Sequence, residues 1–313
     1  MRKMTSQIST KQKRMSKLSL VSLLSILLMP IMLYFSDSIK QGATLGLKLS
    51  LGTIIPTLFP FFILSDLWVS CAVINSDGII AKAYERLFGV SGSTLPAYLL
   101  GSLCGFPLGI KTAVSLYESR YISKDELERI SGFANNPSAA FVISGIGAGL
   151  YKDIRIGIKL YFAVLLSSLF VGIMFRSKEN KSVNTSIISR QSFNLVKSIQ
   201  SAGISSLAVS CYIVFFSSVI GLLNEIVENP LILVIVSSFL EITNACSLSA
   251  DLITSYPNVK CVITAFALGF SGLSVHMQAF SLFPAKTSKA RYLLMKLIQG
   301  ILCSIITFLF MLI

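Results

Sequence analysis

Apolar residues come in long blocks along this chain, and the block length constrains the fold before any other feature does. An α-helix rises about 1.5 Å per residue, so about 20 apolar residues cross a ~30 Å hydrocarbon layer. Nine blocks near that length occupy residues 18–36, 46–74, 95–117, 133–151, 154–175, 198–223, 231–250, 259–283 and 292–313. Lipid offers a backbone N–H or C=O no hydrogen-bond partner, so each block must satisfy its own peptide groups, as a helix does. The alternating segments of about ten residues that mark an outer-membrane barrel are absent. The expected fold class is all-α: a polytopic integral membrane helical bundle.

Charge supports this reading. Only 13% of the 313 residues are charged, against about 25% in soluble domains, too few to cover a water-facing surface. The net charge of +13 would suggest nucleic acid in a soluble protein. Here Lys and Arg gather in the connections between apolar blocks, so the positive-inside rule accounts for them and no nucleic-acid partner is expected. The six Cys form no CxxC pair and lie mostly inside apolar blocks, where Cys behaves as a small hydrophobe. No metal or cofactor is expected.

Residues 1–17 carry six basic residues and no acid. With block 18–36 they read as a cytoplasmic N-terminus and an uncleaved first transmembrane helix, residues 1–40. The remaining membrane domain, 41–313, divides into two related halves: repeat one at 41–176, a polar connector at 177–197, and repeat two at 198–313. Each half holds four apolar segments. The third of each carries a Gly-Phe pair leading into polar residues, Gly132-Phe133 and Gly269-Phe270. Were every segment to span, the stretch 176–197, with five basic residues and one acid, would lie outside. One re-entrant segment per half instead makes that connector and the basic stretch 286–291 cytoplasmic, and inverts the second half relative to the first. Inverted repeats with broken or re-entrant helices are the expected architecture. Residues 118–129 read as a short surface helix, with a capping box at Ser123-Lys124-Asp125-Glu126.

Polar side chains inside apolar blocks are the informative positions. An ionisable group at mid-membrane costs about 2.5–3.5 kcal/mol on insertion scales and needs a partner, water or a role. Lys111 follows a helix-breaking Gly105-Phe106-Pro107-Leu108-Gly109. It faces an anionic group at a discontinuous helix, or it snorkels to an interface while Gly101, Gly105 and Gly109 pack. Asn135 and Asn136, before Pro137, bond a ligand or cap a helix start. Gly145 and Gly149 read as packing glycines. Glu241, in Glu241-Ile242-Thr243-Asn244, binds a cation or proton or pairs with Lys111. His276, the one histidine, lies in Gly272-Leu273-Ser274-Val275-His276-Met277-Gln278. It titrates in the range that suits proton coupling, or is a satisfied core residue. Asp66 is a fifth position. Enzyme templates fit poorly. There is no HExxH or Walker loop, Gly145-Ile146-Gly147-Ala148-Gly149 has no flanking strand, and Ser274 and His276 would point apart on a helix. The chain is expected not to be an enzyme.

In this order, Pro56-Thr57-Leu58-Phe59-Pro60-Phe61, Gly105-Phe106-Pro107-Leu108-Gly109-Ile110-Lys111, Asn135-Asn136, Leu240-Glu241-Ile242-Thr243-Asn244 and Gly272–Gln278 resemble the sporulation integral membrane proteins of endospore-forming bacteria, the YlbJ-like family. That family is grouped with membrane proteins labelled nucleoside-recognition or Gate domain. The resemblance runs from about Lys48 to the C-terminus. The chain departs from the family pattern in having Phe106 for Tyr, Pro137-Ser138 for Gly-Pro, and Ala245 for Gly. The resemblance implies a part in building the spore and its cortex, in the forespore or mother-cell membrane, and a transporter-like core. The resulting expectation is a permease-like protein in the lipid bilayer that moves an unidentified small polar solute, coupled to protons or a cation. Lys111, Asn135, Asn136, Glu241, Asn244, His276 and Gln278 would form its pocket. Lys111 would meet an anionic group, Glu241 and His276 would carry protons or a cation, and the amides would orient the solute. The alternative is a non-transporting assembly protein of the developing spore membrane. Solute, coupling ion and oligomeric state stay open.

Overall fold

The computed structural model describes residues 22–23, 25–71, 78–177, 194–252 and 257–313. The basic tail 1–17 and most of the connector 177–197 lie outside the described residues. No β-strand occurs among the described residues, so the all-α expectation holds.

The helices are α1 (Ser25–Tyr34), α2 (Ser36–Leu49), the π-helical turn Ser50–Ile54, α3 (Ile55–Cys71), α4 (Ile79–Phe88), α5 (Leu95–Leu103), α6 (Leu108–Glu118) and α7 (Lys124–Ala134). After these come the π-helix Ala140–Leu150, α8 (Ile154–Met174), α9 (Leu195–Ile226), α10 (Pro230–Leu240), α11 (Ile242–Asp251), α12 (Pro257–Phe270), α13 (Gly272–Leu282) and α14 (Lys289–Leu312). Among the described residues, α8, α9, α14 and the stretch Asn258–Leu282 are long and apolar enough to cross a bilayer. They keep outward apolar side chains such as Phe162, Phe170, Leu207, Phe215, Ile305 and Leu309 exposed, as contact with lipid requires.

Several apolar blocks, the stretch Asn258–Leu282 among them, are not single helices. Block 95–117 is α5 and α6, of 9 and 11 residues, separated where Gly105 takes φ +91° and Phe106–Pro107 is cis. Block 231–250 is α10 and α11, broken at Glu241, whose extended backbone (φ −149°, ψ 124°) ends one helix and caps the next. Block 259–283 is α12 and α13, broken at Ser271-Gly272, both in the left-handed region (φ 77° and 70°). Residues 118–129 are not a separate surface helix. The capping box at Ser123 and Glu126 is present, but it opens α7, which runs on to Ala134 with Glu126 and Arg129 buried. Asn135 and Asn136 accordingly follow a helix end. They do not cap a helix start, because the π-helix begins after Ala139.

Small residues set the close crossings. A methyl at Gly42 or Gly46 on α2 would overlap α9 at Ser217, Gly221 and Val214, the small-xxx-small packing common between membrane helices. Gly147 and Gly157 bring the π-helix onto α8 backbone to backbone. The packing glycine of that stretch is thus Gly147, whereas Gly145 and Gly149 meet only Phe141 and Ser144 of their own helix.

The packing has a paired pattern. α5 and α6 both lie against α7, as α10 and α11 both lie against α12. α7 touches α8 and α14, and α12 touches α14 and α8. α6 meets α13, and α11 meets the π-helix. α3 packs on α9, and α8 on α14. Exchanging α3, α5, α6, α7, the π-helix and α8 for α9, α10, α11, α12, α13 and α14 maps each of these contacts onto another of the set or onto itself, whereas the packing of the π-helix on α8 and of α13 on α9 and α10 has no counterpart of similar extent.

Candidate functional site

The helix breaks meet one another. At Gly105 a Cβ would sit 2.7 Å from the Ser138 nitrogen, so the α5–α6 break rests on the unwound stretch after α7. At Gly272 a Cβ would sit 3.1 Å from the Leu240 oxygen and 3.2 Å from the Glu241 nitrogen, so the α12–α13 break rests on the α10–α11 break. Positive φ and close approach both require glycine at these two positions. Between the two pairs lies a cavity of about 470 Å³ lined by Gly105, Phe106, Ser138, Glu241, Thr243, Ser274 and Gln278, together with apolar residues that include Ile54 and Leu58 of the first half and Val209 and Ile213 of α9.

Glu241 is the charged wall of this cavity. Its carboxylate accepts from the Thr243 nitrogen at 3.0 Å, the Asn244 nitrogen at 2.7 Å and the Asn244 side-chain amide at 2.7 Å. The helix-initiating amides of α11 supply two of those donors, which both caps the helix and places a carboxylate at its positive end. Asn244 also donates to Ser217 on α9 at 2.7 Å, tying the cap to a continuous helix. Gln278 lines the cavity as well. It is buried, and its amide oxygen has no hydrogen-bond partner among the described residues, one of the few buried acceptors that the fold leaves unsatisfied.

The other predicted residues lie elsewhere. Asn135, Asn136 and His276 belong to a separate buried network that Lys296 and Gln299 of α14 complete. Lys296 Nζ donates to the Asn135 carbonyl and to Gln299 Oε1, both at 2.7 Å. Gln299 donates to Asn136 Oδ1 at 2.7 Å, and Asn135 donates to the Tyr292 hydroxyl at 2.8 Å. His276 Nδ1 lies 3.4 Å from that hydroxyl, and the ring sits edge-on to Phe270 and Tyr292. Lys296 and Gln299 are absent from the sequence-based set. The cost of a mid-membrane cation is the signal that singles out Lys296, and Gln299 stands one turn on.

Lys111 does not pair with Glu241. It reaches from α6 to Asp66 on α3 (Nζ to Oδ1 3.0 Å) and to Ser201 on α9 (2.9 Å), with Phe62 beneath it at 5.9 Å. Both members of the pair are partly exposed, at 23% and 21%, so the interaction is screened but not solvent-dissolved. Reversing either charge alone is expected to destabilise the protein. Exchanging the two residues is expected to restore most of the loss, with a coupling of about 1–2 kcal/mol in a double-mutant cycle followed by thermal unfolding.

A surface charge cluster ties the start of α7 to the start of α14. Asp125 bonds Arg129 at 2.8 Å and Arg291 at 2.6 Å. Burial pushes the Asp125 carboxyl up, and the two guanidinium groups outweigh it and hold it below the usual carboxylate range.

A bundle of long apolar helices, several of them broken, around a mostly apolar cavity lined also by Glu241 and Gln278 is a helical integral membrane protein. Compared with known proteins, the chain is similar to the sporulation integral membrane protein YlbJ of Bacillus subtilis (strain 168), with 24% identity over 309 residues, covering 85% of this chain and 76% of that protein. The similarity supports the YlbJ-like family assignment that the motifs suggest. No protein-family model and no solved structure matches the chain.

Proposed function

We propose that this chain is a sporulation membrane protein with a transporter core that moves a small polar solute. One observation carries the reading: the α5–α6 and α10–α11 breaks and the unwound stretch after α7, far apart in sequence, line a single cavity together with Gln278 of α13. Broken helices expose backbone amides and carbonyls inside the bilayer, and transporters tolerate them where they surround a substrate. The partial exchange pattern of the helix contacts supports two related halves around the cavity, and the placing of basic residues favours their being inverted. The relative's printed name supports the sporulation role, which puts the chain in the forespore or mother-cell membrane. The basic residues of 1–17 favour a cytoplasmic N-terminus. The reading assigns the chain no catalytic chemistry.

In this reading Glu241 and Gln278 contact the solute, with Ser274, Thr243 and Ser138 alongside. Asn244 positions Glu241. Asn135, Asn136 and His276 hold the break after α7 in shape through α14. A second reading, a non-transporting assembly protein, draws on the fact that the Glu241 carboxylate already accepts bonds within its own chain. Uptake by proteoliposomes of purified protein tests the choice across nucleosides, amino acids and small organic acids. Saturable accumulation of one class above protein-free vesicles is expected. Flat uptake for all three, with and without a proton gradient, leaves the assembly reading.

A further inference from the structure

Lys296 is fully buried within α14, and among the described residues no carboxylate lies within ion-pair distance of it. Its ammonium instead meets two carbonyl oxygens, that of the Asn135 backbone and that of the Gln299 side chain, each at 2.7 Å. Asn135 is the C-cap residue that follows the last residue of α7. The last carbonyls of a helix have no intrahelical partner and carry the negative end of its dipole. Inside a bilayer that end needs a positive charge. In transporters with broken helices, unwound carbonyls and helix C-termini are where monovalent metal cations are held.

Two further features mark the place as a cation seat. Asn136 donates to the Phe133 carbonyl at 2.9 Å, covering one orphan acceptor of the same helix end. Asn135 Oδ1, on the same residue, is buried and has no partner among the described residues. We infer that the ammonium of Lys296 is a tethered monovalent cation, occupying at the end of α7 the position a sodium or similar ion would take, and that the fold needs no free metal cation there. Oxygen ligands from a backbone carbonyl at a helix end and a side-chain amide suit a hard monovalent ion once the lysine is removed. The inference does not rest on the transport reading, because its readout is the stability of the membrane protein itself.

The test compares thermal unfolding of the purified full-length protein with that of Lys296→Ala in sodium, lithium, potassium or N-methylglucamine chloride at matched ionic strength. Wild type is expected to melt at the same temperature in all four. Lys296→Ala is expected to melt lower in N-methylglucamine and to recover saturably with one of the small metal ions, by about 5 °C at roughly 0.5 M. Saturable stabilisation of wild type by sodium overturns the inference, and so does a folded Lys296→Ala indifferent to every metal ion. Should Lys296→Ala fail to fold in any salt, Lys296→Arg against Lys296→Met decides. Arginine keeps a cation for the two carbonyls and methionine fills similar space without one, so Lys296→Arg is expected to melt at least about 5 °C above Lys296→Met. Lys296→Met melting as high as Lys296→Arg means that the site needs no cation, and overturns the inference.

Discussion

Glu241→Gln is expected to abolish uptake and also to lower stability, whereas Glu241→Asp is expected to keep the fold and lose uptake by at least tenfold. The difference follows from the donors around the carboxylate. Two backbone N–H groups and the Asn244 amide all point at Glu241, and a carboxylate meets them with acceptors alone. Glutamine brings an amide nitrogen, so at least one donor faces another donor in a buried site. Losing one such bond at a helix N-cap costs about 1 kcal/mol, and leaving a donor unsatisfied adds about 1–3 kcal/mol. Aspartate is itself a preferred cap. It keeps the acceptors for α11 but withdraws the charge by one methylene from the cavity. Melting temperature and uptake measured on the same preparations separate the two effects. If Glu241→Asp transports as wild type does while Glu241→Gln merely fails to assemble, the carboxylate serves the helix and not a solute, and the assembly reading stands.

The same residue shows what a sequence exposes and what it hides. The apolar blocks and their helical state follow from lipid chemistry alone. The α5–α6 break was legible because Gly105 and Pro107 disfavour helix directly. The α10–α11 break was not, because Leu240-Glu241-Ile242 contains neither. Glu241 stood out as a costly charge, and only the structure shows that the charge itself stops one helix and starts the next. Pairing was the least legible feature. Lys111, Asp66 and Glu241 were all visible as mid-block charges, yet nothing local says that Lys111 meets Asp66, 45 positions away, and not Glu241. Lys296 is legible by the same rule, as a charge inside the apolar block 292–313, whereas its partners, the Asn135 carbonyl and Gln299, are fixed only by the packing of α14 on the end of α7. The convergence of the breaks depends on glycines touching remote backbone, a contact that spacing cannot encode.

Gly101→Val and Gly109→Val are each expected to prevent assembly of the native bundle, a loss above about 4 kcal/mol. Gly203→Ala is the control, since a methyl at Gly203 meets nothing within 4 Å, and it is expected to change stability by less than about 1 kcal/mol. At Gly101 and Gly109 an added Cβ would overlap the carbonyl oxygen of Ala134, the last residue of α7. The two Cα–H groups therefore flank one helix-terminal carbonyl from either side of the α5–α6 break. This is the geometry of Cα–H···O contacts at close membrane-helix crossings. The atom in the way belongs to the backbone, so no rotamer change relieves the clash. α7 must draw away from α5 and α6, and Asn135 and Asn136 follow it, because they are the next residues in the chain. The displacement pulls Asn135 off Lys296 and Ser138 off Gly105, opening the network and the cavity wall in one movement. Yield of monodisperse protein and its melting temperature measure the effect. A Gly109→Val protein that purifies and melts as wild type does would mean that α7 does not seat against this pair of glycines.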